Sequence, residues 1–103
     1  MYLVITHFMV DAQIDSAELA CMFESSAPRY AAIPGLLSKQ YYIEDGDGGA
    51  GGVYLWERKE DADNFFDDTF RQTIAQRFGS LPTLRTMNCP IWLDNVHQIQ
   101  RKG

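Results

Sequence analysis

The sequence predicts an α+β fold: a four-stranded antiparallel sheet with two helices on one face. Three observations lead there. The elements read strand, helix, strand, strand, helix, strand. A turn-forming stretch, Asp45-Gly46-Asp47-Gly48-Gly49, separates the two consecutive strands and marks a hairpin with a long loop. The strands also carry large apolar residues on both parities, as a sheet covered on two sides does.

Tyr2 to Val10 forms the first strand, with Leu3, Val4, Ile5 and Phe8 as β-formers. Asp15 followed by Glu18 has capping-box spacing and opens the first helix. Leu19, Met22, Phe23, Ala27, Tyr30 and Ala31 keep helical spacing through it. Pro28 removes an amide donor and predicts a kink or a restart, and Pro34-Gly35 ends the element. Leu36 to Glu44 is the second strand, with Tyr41 and Tyr42 pointing to opposite faces.

Gly52 to Glu57 is the third strand. Tyr54 and Trp56 share one of its faces, and Val53 and Leu55 the other. A second helix is predicted from Lys59 to Phe78 on the stripe Ala62, Phe65, Phe66, Phe70, Ile74 and Phe78. Glu60, Asp61 and Asp63 near its start and Arg77 near its end suit the helix dipole, and Gly79 stops it. Leu84 to Asp94 is the fourth strand, where Pro90 argues for an edge or a bulge. Asn95 to Gly103 reads as a polar, loosely packed tail. Two right-handed crossovers around the hairpin give the strand order 4-1-3-2, a ferredoxin-like arrangement. Strand four is then one edge, and Lys39 is a guard for the other.

The 103 residues suit a single domain spanning residues 1–103, and 46% hydrophobic with 13% aromatic content excludes disorder. A net charge of −5 with scattered basic residues argues against nucleic acid and anionic membranes as partners. No apolar run has transmembrane length, and no charged leader precedes the first strand. Cys21 and Cys89 lack motif spacing; buried reduced thiols and a cytoplasmic location are expected. Two helices shield one sheet face only. The apolar residues of the other call for a second copy packed sheet to sheet, a homodimer.

Several chemistries are set aside. The glycine loop precedes no helix and carries Asp45 and Asp47, so it is a poor phosphate cradle. A calcium loop starting at Asp45 would need a glutamate where Trp56 stands. Neither histidine has a partner at metal-ligand spacing, so no metal is expected. Cys89 lacks an evident base and is a poor nucleophile.

His7-Phe8 in the first strand, Pro34-Gly35-Leu36 opening the second and Ala50-Gly51-Gly52-Val53-Tyr54-Leu55 opening the third resemble the YdhR-type putative mono-oxygenases. These are small dimeric α/β-barrel proteins related to the antibiotic-biosynthesis monooxygenases. The resemblance covers most of the chain in element order. It implies a cofactor-independent monooxygenase for an electron-rich aromatic substrate such as a polycyclic phenol, anthrone or quinol. Once deprotonated, such a substrate supplies its own electrons to dioxygen. The protein then provides an apolar pocket, a proton acceptor and donors for the anion. The haem-degrading branch of these barrels uses a helical histidine, and the second helix here has none.

With the pocket expected between sheet and helices, His7 is the candidate catalytic base or oxygen-orienting group. Its alternative is a core histidine bonded to backbone. Tyr54 and Trp56 are candidate substrate-binding donors, or plain core. Trp92 is the matching candidate from strand four, or barrel packing. Tyr42 is a further substrate-binding candidate; because Tyr41 faces the other way, at most one of the two enters a given pocket. Arg85 pairs with a substrate anion or ends a solvated strand. Two other functions stay open: a non-catalytic small-molecule-binding or stress-response dimer, and an isomerase or decarboxylase using the same pocket.

Overall fold

Strand β1 (Tyr2–Met9) runs through the middle of the sheet, antiparallel to β3 (Gly49–Trp56) on one side and to β4 (Thr83–Asn88) on the other. Strand β2 (Leu36–Ile43) pairs with the far side of β3, so the order is β2-β3-β1-β4, as the crossover argument requires. The computed structural model describes residues 1–103. Helices α1 (Ser16–Ala31), α2 (Lys59–Phe65) and α3 (Asp68–Phe78) supply the other layer.

The pleat sorts β1 by parity. Val4, Thr6 and Phe8 are buried beneath the helices, while Leu3, Ile5 and His7 remain partly exposed on the other face. On β3, Ala50, Tyr54 and Trp56 join the helix-side core, whose other members are Leu19, Phe23, Ala62, Phe66, Phe70, Ile74 and Phe78. Asp15 caps α1, accepting from the Glu18 amide at 2.8 Å. The helix continues through Pro28 to Ala31 without restarting. Gly79 closes α3 in the left-handed region, φ 101°, where a side chain would be strained.

The predicted second helix is broken in two. Phe66 leaves helical geometry, and Asp67 caps α3 by accepting from the Phe70 amide at 2.9 Å. One continuous helix would turn successive side chains about 100° apart. The break lets Phe66 face inward, edge-on to Tyr54 and to Phe70, with centroids 4.9 and 5.0 Å away. Arg71 donates to the Phe66 carbonyl that the break releases.

The predicted fourth strand and tail also need correction. The strand ends at Asn88, and Cys89 and Pro90 separate it from a hairpin, β5 (Ile91–Asp94) and β6 (Ile99–Lys102). Proline has no amide for the ladder, so pairing stops there. The Asp94 carboxylate makes the turn, accepting from the Val96 and His97 amides, and an Arg101–Glu57 ion pair ties the hairpin to the end of β3. The tail is therefore paired strand. Cys21 is exposed and Cys89 half-buried, not core thiols, because α1 buries Leu19, Phe23 and Ser26 instead.

The Gly-Gly pair of β3 is a packing requirement. A Cβ on Gly51 would collide with the Thr6 carbonyl and lie 2.8 Å from the Tyr42 hydroxyl. Gly51→Ala is expected to destabilise the fold by about 1–3 kcal/mol, the usual cost of overpacking. A urea midpoint equal to that of the unsubstituted protein would contradict this close approach.

Candidate functional site

The expected site residues fall on two faces of the sheet. His7 and Tyr42 occupy the face without helices, and Tyr54 and Trp56 the face beneath them. Parity explains the split: Phe8 is buried under the helices, so its neighbour His7 points the other way. The expected convergence of His7 with Tyr54, Trp56 and Trp92 in one pocket therefore does not occur.

On the open face His7 Nε2 lies 3.0 Å from a Glu44 carboxylate oxygen, over a gap that a side chain on Gly49 would fill. Tyr42 stacks beside the imidazole, centroids 6.5 Å apart, and donates to the Thr6 carbonyl at 2.7 Å. Glu44 shares a hydrogen bond with Asp47, which holds Glu44 above and Asp47 below the usual carboxylate range. Arg85 is exposed on this same face, opposite Ile5.

On the helix side of the sheet the chain forms three cavities that share the Tyr30 ring. A groove of about 450 Å³ lies between the C-terminal end of α1 and helices α2 and α3; Arg29, Tyr30, Phe65, Phe70, Ile74 and Arg77 line it. Tyr30 also borders a narrow void of about 30 Å³ whose walls include Thr6, Ser26, Lys39, Tyr41 and Tyr54. It borders as well a third space of about 250 Å³ between α1 and β2, where Lys39 lies beside Ala27, Leu36 and Tyr41. Trp56 lines none of these. It is fully buried, packed against Phe65 and Phe66, and its indole N–H has no acceptor. Trp92 sits on the C-terminal hairpin opposite Arg101, away from all of these cavities.

Lys39 is the residue that sequence reasoning misplaced. It stands on an edge strand, but its side chain turns inward opposite Tyr54, and its amine lies 3.1 Å from the ring centroid of Tyr30, 3.9 Å from that of Tyr41 and 4.5 Å from that of Tyr54. An inward lysine still discourages pairing at the edge. Gly52 makes the space: a Cβ there would sit 2.9 Å from the Tyr54 ring and 3.1 Å from Lys39 Cε. No carboxylate pairs with the amine. Burial, helped by the Arg29 guanidinium, lowers it to about 6.

Burial pushes the Tyr54 and Tyr30 hydroxyls upward, so both stay protonated near neutrality. The Ser26 hydroxyl donates to the Phe23 carbonyl, which leaves its oxygen to accept from Tyr41 at 2.9 Å. The helix face thus combines phenol donors, an uncharged amine and two guanidinium groups at the groove. The matching parity of Lys39 and Tyr41 was the signal available in the sequence; no pattern linked either to Tyr30.

Lys39 also makes stability depend on pH. Between about 6 and the ordinary lysine value of 10.5 the unfolded chain holds a proton that the folded chain has released. Stability is fullest above the upper value, falls with pH towards the lower, and is level beneath it. Lys39→Met is expected to gain roughly 1–3 kcal/mol at neutral pH and to flatten this slope. Urea titrations at several pH values check both; an unchanged slope would contradict the lowered amine.

The family model described as "Putative mono-oxygenase ydhR" matches residues 3–84. No curated protein matches the chain in sequence. Among solved structures it is similar to NE2512, a protein of unknown function from Nitrosomonas europaea, with TM-score 0.68, 13% identity, and 85% of this chain and 87% of that chain covered. It is similar also to the monooxygenase from the gene ActVA-Orf6 of Streptomyces coelicolor, solved with the ligand Nanaomycin D, with TM-score 0.65, 18% identity, and 85% and 86% covered. SnoaB, a cofactor-independent oxygenase from Streptomyces nogalater, gives TM-score 0.63, 17% identity, and 85% and 91% covered. At these identities the structures share the fold. The match over residues 3–84 places the chain in the YdhR family of putative mono-oxygenases.

Proposed function

We propose that this member of a mono-oxygenase family oxygenates a flat, electron-rich aromatic substrate without a cofactor, in the groove between the helices. The observation that carries the reading is the groove itself. Tyr30, Phe65, Phe70 and Ile74 give it an apolar, largely aromatic lining, Arg29 and Arg77 add positive charge, and Tyr30 connects it to the phenol and amine groups further in. The two Streptomyces neighbours, a cofactor-independent oxygenase and a monooxygenase solved with Nanaomycin D, support the same direction.

The reaction closes on its own electrons. A methylene between aryl groups loses two C–H bonds and gains one C=O bond, while the second oxygen atom of dioxygen leaves as water. The substrate supplies four electrons and dioxygen takes them up. The protein excludes water, accepts the first proton and donates hydrogen bonds to the anion. Tyr30 suits the donor role because it lines the groove and burial keeps it protonated.

The helix-free sheet face is the surface of a homodimer in this reading. Leu3, Ile5, Val53 and Met87 lie half-exposed there in register, and the hairpin adds exposed Ile91 and Leu93. His7, Glu44 and Tyr42 then belong to the subunit contact rather than to the groove. No helix is long and apolar enough to cross a membrane. Two free thiols, one of them exposed, suit a cytoplasmic setting.

Oxygen uptake on a panel of anthrones and quinols tests the chemistry. Tyr30→Phe, on the groove wall, is expected to lower the rate by about 10²-fold, the usual effect of removing one donor to a developing anion. His7→Ala, on the opposite face, should change it little. Binding without uptake on any substrate would favour the non-catalytic ligand-binding alternative. For the assembly, light scattering after size exclusion is expected to give twice the chain mass at micromolar concentration and the single mass for Ile5→Lys. A monomer in the unsubstituted protein would overturn the pairing.

A further inference from the structure

We propose that Lys39 is the proton acceptor of the helix-face site, taking the hydroxyl proton of a flat, weakly acidic aromatic alcohol seated against Tyr30 and Tyr41. The proposal rests on the oxygenase reading for the later fate of the phenolate, not for the transfer itself. The step balances without an oxidant. The ligand O–H bond breaks, its electron pair stays on oxygen, and the amine lone pair forms the new N–H bond. An uncharged pair becomes a phenolate and an ammonium.

The placement of the amine is the central observation. Lys39 lines the 250 Å³ space between α1 and β2, which is large enough for a bicyclic ligand, and also the narrow void beneath Tyr54. Tyr30 lines all three spaces, and Ile74 and Arg77 stand with it between the void and the 450 Å³ groove. The groups facing Lys39 are Arg29 and Tyr30 from α1, Tyr41 from its own strand, Tyr54 from β3 and, across the void, Arg77 from α3. None is a carboxylate, so no ion pair holds the amine as an ammonium.

The resting and the protonated states are both provided for. Burial and Arg29 keep the amine uncharged near neutrality, at about 6. The faces of three rings stand ready to stabilise the ammonium once the proton arrives. Tyr30, on the wall of the same space, offers a hydrogen bond to the phenolate, and Arg29 adds positive charge nearby. Among the residues lining these three spaces no other group is suited to the task. Asp67, the one carboxylate lining the larger groove, is committed to capping α3, and His7 points to the opposite side of the sheet. The amine therefore has the feature a general base needs, a value close to the working pH, on the shared wall of the narrow void and the 250 Å³ space.

Umbelliferone, a flat bicyclic phenol whose neutral and anionic forms absorb at different wavelengths, reads the transfer directly. The full-length protein would be titrated with it at about pH 7, where a general base must be unprotonated. The expected result is an anionic spectrum for the bound dye with no proton released to the buffer. Lys39→Met and Lys39→Gln, shown folded by circular dichroism, are expected to bind it with the neutral spectrum. Using two replacements guards against a fault peculiar to one.

A neutral spectrum in the unsubstituted protein, an anionic one in both variants, or no binding would each overturn the proposal. So would release of one proton per dye, which marks a lysine charged beforehand that merely attracts phenolate. Turnover is a separate readout, expected to fall about 100-fold or more in Lys39→Met. An anionic spectrum with no oxygen uptake would defeat the oxygenase reading and leave Lys39 its role. Uptake that survives Lys39→Met would do the reverse.

Discussion

Close approach of neighbouring strands over the glycines of β3 is the constraint on which both faces of this sheet depend. Three positions that lack a Cβ each receive a large side chain from β1, β2 or β3 itself. Gly49 admits His7 with Glu44, Gly51 the Tyr42 hydroxyl, and Gly52 the Tyr54 ring with the Lys39 stem. Glycine in a strand interior weakens it through entropy and lost packing. Here the loss is offset by Tyr54 and Trp56, which pack with Phe65 and Phe66 over the other half of the same strand. One end of β3 is thus thin and accommodating, and the other thick and rigid.

That division places the site. The aromatic end supplies stability, and the glycine end lets a lysine fold inward from the sheet edge. An unpaired amine beneath a helix is a local conflict: water would solvate it better, and no carboxylate compensates. Conflicts of this kind gather at functional positions, where the surrounding fold outweighs their cost. The unpaired Trp56 indole N–H is a second such group, but it borders no cavity and has no evident use in the structure.

The two sheet faces divide the work. Helices cover one and create the grooves; the other is broad, apolar and edged by the His7–Glu44–Asp47 cluster. A residue on β1 therefore takes its role from parity more than from its chemistry. His7 and Phe8 are adjacent in the chain, yet they serve opposite surfaces. A one-residue change of register would exchange them.

Much of this architecture was legible from periodicity and turn chemistry. The strand order followed from two crossovers around a hairpin, and Asp15 and Gly79 marked helix ends by local chemistry that neighbours do not alter. What escaped depends on contacts far apart in sequence. The break at Phe66 exists because Tyr54 and Phe70 need that ring turned inward, a demand that no pattern within residues 59–78 states. The C-terminal hairpin was masked by a polar composition, although Asp94 carried its turn signal. Trp92 followed the hairpin out of the site. Alternation settles which residues share a face, so the sequence by itself determined the layers and their pairing. Which face met the helices, and that Lys39 lies among Tyr30, Tyr41 and Tyr54, only the tertiary structure decided, because burial under a packed helix is a property of the assembled layers and not of any one strand.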